Sequence, residues 1–440
     1  MATIERDFWK YITLSILGML GSSGTILADT FFISHHLGAD GLAALNISIS
    51  VFGLMNGLGL LLGVGGATHY AIFRSQQREK EANRAFTASL VAALTLGVCL
   101  FTVGQLFPGP LAQVLGASGD ILPMCTTYLR TILSFAPCFL LNHLFMCFLR
   151  NDDNPRLAMA VMVVGSLSNI VLDYLFIYPL DMGMFGAALA TGLAPAIGLA
   201  TASIHFFTRA HTFHPVPISI RPSHLSNLAA PGLASFVNEL SSSVVLVVFN
   251  LLLVQMSGTL GVAAYGIVAN LALIVLAVFT GLSQGIQPLL SRAYGTGHVD
   301  QALHLYRKGQ RLALAVGLSI VSIAYLATPA LVACFNGDQD PTLQYLAETG
   351  VRIYFIGFLF VGHNYLAAAF FSTTEQARAA FSLSFFRGCM GILGAACLFS
   401  SLWGMPGLWA AFPATELATA GLSLVVMAWK KRALYQAEPC

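Results

Sequence analysis

The sequence predicts an all-α membrane protein with twelve transmembrane helices in two pseudo-symmetric six-helix bundles. Three observations predict it. Hydrophobic residues make up 57% of the 440 positions and charged residues only 9%, with a mean hydropathy of +0.77. A soluble domain carries about 25% charged residues. Turn signals cut the chain into twelve apolar runs, each long enough for the roughly 20 residues that cross a bilayer. The chain also repeats itself: Gly38-Ala39-Asp40-Gly41-Leu42-Ala43-Ala44 returns as Gly258-Thr259-Leu260-Gly261-Val262-Ala263-Ala264, shifted by 220 (258 − 38). Gly183-Met184-Phe185-Gly186 returns as Gly404-Met405-Pro406-Gly407, shifted by 221, and Arg130 returns as Arg352, shifted by 222.

The predicted spans cover residues 8–34, 42–73, 84–107, 121–149, 156–178 and 184–207, then 226–256, 261–292, 308–334, 344–372, 378–400 and 406–429. Pro108-Gly109-Pro110, Asn154-Pro155, Pro179, Gly295-Thr296-Gly297 and Asp340-Pro341 separate them. The longest polar connection, 208–225, contains Pro215-Val216-Pro217 and is too short for a domain. It reads as a cytoplasmic strap between an N-terminal lobe (1–207) and a C-terminal lobe (226–432), with a short tail at 433–440. Repeated halves of this kind build secondary transporters, whose sites lie at a central cleft.

Charge sets the expected orientation. Eighteen of the 21 basic residues fall at one side of a twelve-span arrangement, among them Arg6, Arg74, Arg78, Arg150, Arg209, Arg221, Arg292, Arg378, Lys430, Lys431 and Arg432. The opposite loops carry only acids: Asp40, Asp120, Asp181, Asp338 and Asp340. The positive-inside rule then places both termini in the cytoplasm of a multi-pass protein in the inner (plasma) membrane. The net charge of +2 gives no reason to expect a nucleic-acid partner. The eight cysteines are scattered through apolar runs without a CxxC pair, so they read as core residues. The first apolar run is too long for a cleavable signal, and no nucleotide-binding, metalloprotease or hydrolase motif occurs. Neither Asp29 nor Asp173 lies in a GxGD sequence, which argues against an intramembrane aspartyl protease. The expectation is a non-enzyme without a cofactor, monomeric in the lipid bilayer.

Ionisable groups inside hydrocarbon cost about 2.5–3.5 kcal/mol on insertion scales. Four acids lie inside predicted spans: Asp29, Asp173, Glu239 and Glu416. Asp29 and Asp173 each lie about five residues before the outer end of an outward-running span, roughly 8 Å below the surface at 1.5 Å per residue. Asn169 is one helical turn before Asp173, and Thr191 enters span 6 at similar depth. Two carboxylates, an amide and a hydroxyl suit a proton or a small hard cation such as Na⁺. The second lobe does not copy this set, because the repeat aligns Asp29 with Phe249 and Thr191 with Phe412. Glu239 and Glu416, near mid-membrane, are its candidates for coupling or for substrate contact. Arg130, Arg352 and Arg387 read as snorkelling cations. His69, His143 and His363 read as satisfied core histidines, and His211, His214 and His224 as residues of a solvated loop. Phe31, Phe32, Tyr174, Phe176, Tyr178 and Phe185 form an aromatic group toward the outer ends of the first lobe.

These residues carry a family resemblance. Ala28-Asp29-Thr30-Phe31-Phe32-Ile33, Leu37 through Ala44, Arg150-Asn151-Asp152-Asp153-Asn154-Pro155, Asn169-Ile170-Val171-Leu172-Asp173, Gly186 through Thr191 and Gly281 through Leu289 resemble, in order and spacing, the multidrug and toxic compound extrusion (MATE) family. The resemblance implies two six-helix bundles around a V-shaped cleft and antiport of small-molecule drugs or metabolites against H⁺ or Na⁺. It implies that Asp29, Asn169, Asp173 and Thr191 form the first-lobe cation site, and that Glu239 matches the span 7 acid of a branch that couples in the second lobe. Many relatives bend span 1 at a proline, but residues 8–30 contain none; Gly18, Gly21 and Gly24 are the places where this span could flex. Two other readings stay open: a lipid-linked oligosaccharide flippase of the same wider superfamily, and a non-transporting membrane receptor or scaffold.

Overall fold

The structure is a computed structural model that describes residues 2–436 apart from Asp120, 208–210, 219–221 and 337–339. The expected positions of Arg209, Arg221, Asp120, Asp338 and the last residues of the tail therefore lie outside the described residues, as do the side chains of His224, Lys431 and Arg432.

The described helices long and apolar enough to cross a membrane match the expected runs. Spans 1 to 3 are Ile4–Gly38, Asp40–Ser75 and Glu79–Leu106. Span 4 is Ile121–Ser134 and Ala136–Asn151, bent by 50°. Pro137 follows this bend, where its missing N–H cannot continue the ladder. Spans 5 and 6 are Pro155–Ile177 and Gly183–Phe207, and spans 7 to 10 are Leu225–Gly258, Leu260–Gly295, Val299–Ala333 and Pro341–Thr373. The last stretch, Ala377–Lys430, is divided by non-helical backbone at Gly404 into spans 11 and 12.

The repeats seen in the sequence are positions of unusual backbone. Gly38 (φ 65°, ψ −154°) and Gly258 (φ 60°, ψ −147°) join spans 1–2 and 7–8. Gly183 (φ 56°) and Gly404 (φ 62°) do the same before spans 6 and 12. The other end of each half follows suit: Gln77 (φ 61°) pairs with Gly297 (φ 76°), and Asp153 (φ 62°) with Glu375 (φ 59°). A side chain at Gly38 or Gly258 would collide with its own backbone, which is why glycine stands at both.

The chain divides into two compact units, one running to Leu240 and the other beginning at Ser241. In the first, an aromatic core at the basic end gathers Tyr70, Phe86 and Phe148, all fully buried. The strap completes that core. Phe213 is fully buried, 4.7 Å from the Phe86 ring and stacked at 5.4 Å on His205. Burying one such side chain is worth about 2–3 kcal/mol. Backbone N–H groups of His214 and Val216 donate to Asn83 and Thr87 of span 3. Within the strap segment 211–218, Phe213 is docked on the first unit while the side chains of His214, Pro215 and Pro217 are exposed, as expected of a solvated loop.

Asp152 locks this end. Its buried carboxylate accepts from Arg74 at 2.7 Å, His205 at 2.8 Å, Tyr70 at 2.7 Å and the Thr212 backbone at 3.0 Å, with the Thr212 hydroxyl also bonded. Burial alone pushes this carboxyl up, but the His205, Thr212 and Tyr70 hydrogen bonds outweigh it and hold it down at about 2. Asn154, beside it, caps span 5 by accepting from the Leu157 N–H and donates to the other ring nitrogen of His205. The Arg150–Pro155 motif is thus a clamp between spans 2, 4, 5, 6 and the strap.

Candidate functional site

Two parallel helices bring the first-unit acids together. Gly18 of span 1 faces Met162 of span 5, so closely that an added Cβ would lie 2.7 Å from the Met162 sulfur. Gly21 faces Val163 and Ser166 one turn on, and the Thr25 hydroxyl reaches the Ser166 carbonyl at 3.5 Å. Of the three glycines expected to permit flexing, Gly18 and Gly21 are where the two spans touch, and Gly24 has no neighbour within 4 Å. From Gly18 to Asp29 is eleven residues (29 − 18), and from Met162 to Asp173 is eleven (173 − 162). Two helices in register at one level stay in register three turns later, and the two carboxyls meet within hydrogen-bond reach of each other.

Asn169 and Thr191 complete the cluster as the spacing predicts. With its amide nitrogen turned to the acids, Asn169 donates to Asp29 Oδ1 at 2.9 Å and Asp173 Oδ2 at 3.2 Å, and its oxygen accepts from the Thr191 N–H at 3.3 Å. The Thr191 hydroxyl lies 3.5 Å from Asp29 Oδ2 and donates to the Ala187 carbonyl at 3.0 Å. Asn169 is completely buried, Asp173 1% exposed and Asp29 9% exposed, so water does not screen the pair. Asp173 Oδ1 has no hydrogen-bond partner among the described residues. Two carboxyls in contact share a proton or a cation, and the oxygens present suit either.

Tyr128 of span 4 is a member that the sequence reading missed. It is 3% exposed and lies beside Thr191 and both acids. Its only sequence signal is a phenol inside an apolar span. Gly192, next to Thr191, leaves room for the Phe135 ring at the span 4 bend; a Cβ there would lie 2.2 Å from that ring. The aromatic group above the acids is real: Phe32 packs on Tyr178 at 6.0 Å, and His36 pairs with Asp181 at 2.9 Å across the same two spans.

The other candidates do not join this cluster. Glu239 of span 7 is half-buried beside Gly57 of span 2, and no hydrogen bond or ion pair reaches it among the described residues. Glu416 of span 12 is 2% exposed and paired: Arg387 Nε donates to its Oε1 at 2.7 Å, and Asn364 Nδ2 to its Oε2 at 2.7 Å. Arg387 therefore does not snorkel; its charge is met inside the unit by Glu416. Arg130 and Arg352 remain exposed, the latter 3.4 Å from Glu348 one turn away. His363 bonds both Gln310 at 2.9 Å and Ser423 at 2.7 Å, as expected of a satisfied core histidine. His69 meets the Gly65 carbonyl at 3.0 Å, and His143 meets Asn56 at 3.0 Å while its Nδ1 has no hydrogen-bond partner among the described residues.

The chain is 24% identical over 422 residues to the multidrug export protein MepA of Staphylococcus aureus (strain MSSA476), covering 93% of this chain and 92% of that relative. It is 23% identical over 432 residues to MepA of Staphylococcus saprophyticus, covering 95% and 93%. Among solved structures, it superposes with a TM-score of 0.92 on an outward-facing multidrug resistance MATE family transporter of the MOP superfamily (23% identity; 99% of this chain, 97% of that one). It superposes at 0.90 on a Pyrococcus furiosus MOP superfamily transporter, described as having a binding pocket of reversed polarity (23% identity; 98% and 96%). The MatE family model matches residues 15–175 and 234–396, once in each half and over most of the chain. This twelve-span membrane protein belongs to the MatE family.

Proposed function

We propose that the protein is a cation-coupled antiporter that exports small organic compounds, often cationic, in exchange for H⁺ or Na⁺. The observation that carries the reading is the contact of Asp29 with Asp173, bridged by Asn169 in a dry site. A carboxyl pair of this kind binds one proton or one cation and changes its net charge when it does, which is what coupling needs. With Na⁺ as the ion, a half-turn of the Asn169 amide presents its oxygen beside the two carboxylates and the Thr191 hydroxyl. The basic face lies in the cytoplasm in this reading, so the site fills from outside and the bound ion favours release of the exported compound. Export by the MepA relatives supports the substrate class. The driving force is sufficient: one charge across 100 mV supplies about 2.3 kcal/mol and one pH unit about 1.4 kcal/mol, enough for a gradient of several hundredfold.

The test is drug accumulation in cells carrying Asp29→Asn, with Na⁺ varied at fixed pH and pH varied at fixed Na⁺. Loss of ion-dependent export is expected. Normal export with an unchanged ion dependence refutes the role of the site. Cell-wall defects on deletion, with unaltered drug accumulation, refute the efflux reading in favour of a flippase.

A further inference from the structure

The second unit contains a charged centre, Arg387 with Glu416, at positions where the first unit has Ser166 and Pro195. Arg387 and Glu416 lie on spans 11 and 12, with side chains 13% and 2% exposed, and are joined at 2.7 Å. Asn364 of span 10 donates to both the Glu416 carboxylate at 2.7 Å and the Glu416 backbone carbonyl at 2.8 Å. The Arg387 guanidinium lies over the Tyr365 ring at 4.3 Å. A π-helical turn, Phe386–Gly391, carries Arg387. Such turns shift the register of a helix and recur at functional sites. Asn364 is 3% exposed, and its side-chain oxygen has no hydrogen-bond partner among the described residues.

The pair is an addition to the shared scaffold. Asn142 is the repeat counterpart of Asn364 (364 − 142 = 222), and its oxygen is likewise buried with no hydrogen-bond partner among the described residues. The counterpart of Glu416 is Pro195 (416 − 195 = 221), and no charge stands there. In donor chemistry, the second-unit centre parallels the Asp29 cluster: carboxylate, amide and a phenol-bearing ring. The difference is its cation. In the first unit the cation must come from solution; in the second it is covalently attached to the chain.

We propose that Arg387 is a tethered cation that permanently fills a second cation site made by Glu416, Asn364 and Tyr365, so that ion exchange is confined to the Asp29–Asp173 site. This rests on the reading of that first site as the exchangeable one. A buried ion pair adds little net stability, but removing its cation leaves Glu416 a carboxylate in hydrocarbon that must recruit a proton or a metal ion. Tyr354, Tyr365 and His363 are the other titratable groups nearby, on span 10; none carries a fixed charge that could replace the guanidinium.

The experiment uses the full-length protein in lipid nanodiscs, with radioactive Na⁺ binding and infrared detection of protonated carboxyls near neutral pH. The parent is Asp29→Asn/Asp173→Asn. Adding Arg387→Gln is expected to restore about one bound Na⁺ per protein or to create a new protonated-carboxyl band. Adding Glu416→Gln as well should remove that gain, and Arg387→Lys should not produce it. Absence of any gain in folded Arg387→Gln overturns the proposal. Should Arg387→Gln not fold, Glu416→Gln in the otherwise unaltered protein decides: the number of bound ions must stay the same, and loss of one overturns the proposal. If instead Asp29→Asn/Asp173→Asn leaves ion binding intact, the first-site reading fails, and the Glu416→Gln comparison still judges Arg387 separately.

Discussion

Gly18 and Met162 face each other on spans 1 and 5, and their contact sets the level at which Asp29 meets Asp173 three turns away. The Met162 thioether is the flexible end of a long side chain, so Gly18→Ala should be tolerated with a loss of about 1 kcal/mol or less. A branched side chain should not be. Gly18→Val overpacks the contact at a typical cost of about 1–3 kcal/mol and separates the two helices. The expected result is weaker coupling-ion binding, read as a higher half-maximal Na⁺ concentration or a shifted pH midpoint for transport. Met162→Ala in the same chain should restore it by vacating the space. Rescue distinguishes lost register from general instability.

Asn169 holds both carboxyls with one amide, and Thr191 adds a single long contact at 3.5 Å. A hydrogen bond to a charged group contributes about 1.5–3 kcal/mol. Asn169→Leu should therefore lower apparent ion affinity at least tenfold in a transport assay. Thr191→Val, which removes one long bond, should lower it only a few-fold. Equal effects would mean that the amide does not bridge the acids.

How much of this was legible in sequence follows from how local each feature is. Glycine with φ near 60° is demanded by backbone sterics alone, so Gly38 and Gly258 announce the repeat and the span boundaries together. The Asp29–Asp173 site was readable because charge gave span direction and counting gave depth. Arg387 and Glu416 were not matched, although both were noted. Their meeting depends on which faces spans 11 and 12 turn to each other, and the π-helical turn at Arg387 breaks the 3.6-residue count that would have shown it. In sequence Asp152 stands out only as part of a motif. Tyr70 and Arg74 are one helical turn apart, but they, His205 and Thr212 come from three separate parts of the chain that no periodicity links. For the same reason the docking of Phe213 is not legible, since one phenylalanine in a polar stretch does not signal a core position.

The paired glycines give a prediction independent of transport. Beyond the local backbone, no atom lies within 4 Å of a Cβ built on Gly38 or Gly258, so substitution there meets no packed neighbour. Alanine at either position still has to occupy a region of backbone space open essentially to glycine, at about 1–3 kcal/mol. Gly38→Ala and Gly258→Ala should each lower the apparent melting temperature of the purified protein, by similar amounts. Gly24→Ala, also with no neighbour within 4 Å but in regular helix, should leave it unchanged or raise it.

Asp152 predicts an acid-sensitive strap. Its carboxyl is held at about 2 in the folded protein against an ordinary value of 3.8. A lowered folded value stabilises the protein fully above the unfolded value and loses that stabilisation as pH falls through the folded one. The contribution is therefore complete above about pH 4 and fades between 3.8 and about 2. The shift corresponds to about 2 kcal/mol, at 1.36 kcal/mol per pH unit. Asp152→Asn keeps the shape but not the charge, so at neutral pH it should be less stable than wild type by about that amount. The two should converge as pH drops toward 2, where the wild-type carboxyl is protonated. Because Thr212 and Phe213 dock through this carboxylate, the first measurable sign should be protease cleavage within residues 211–218. Cleavage should be faster in Asp152→Asn at neutral pH, and in wild type only after acidification. Equal cleavage rates at neutral pH would show that the aromatic packing of Phe213 holds the strap without Asp152.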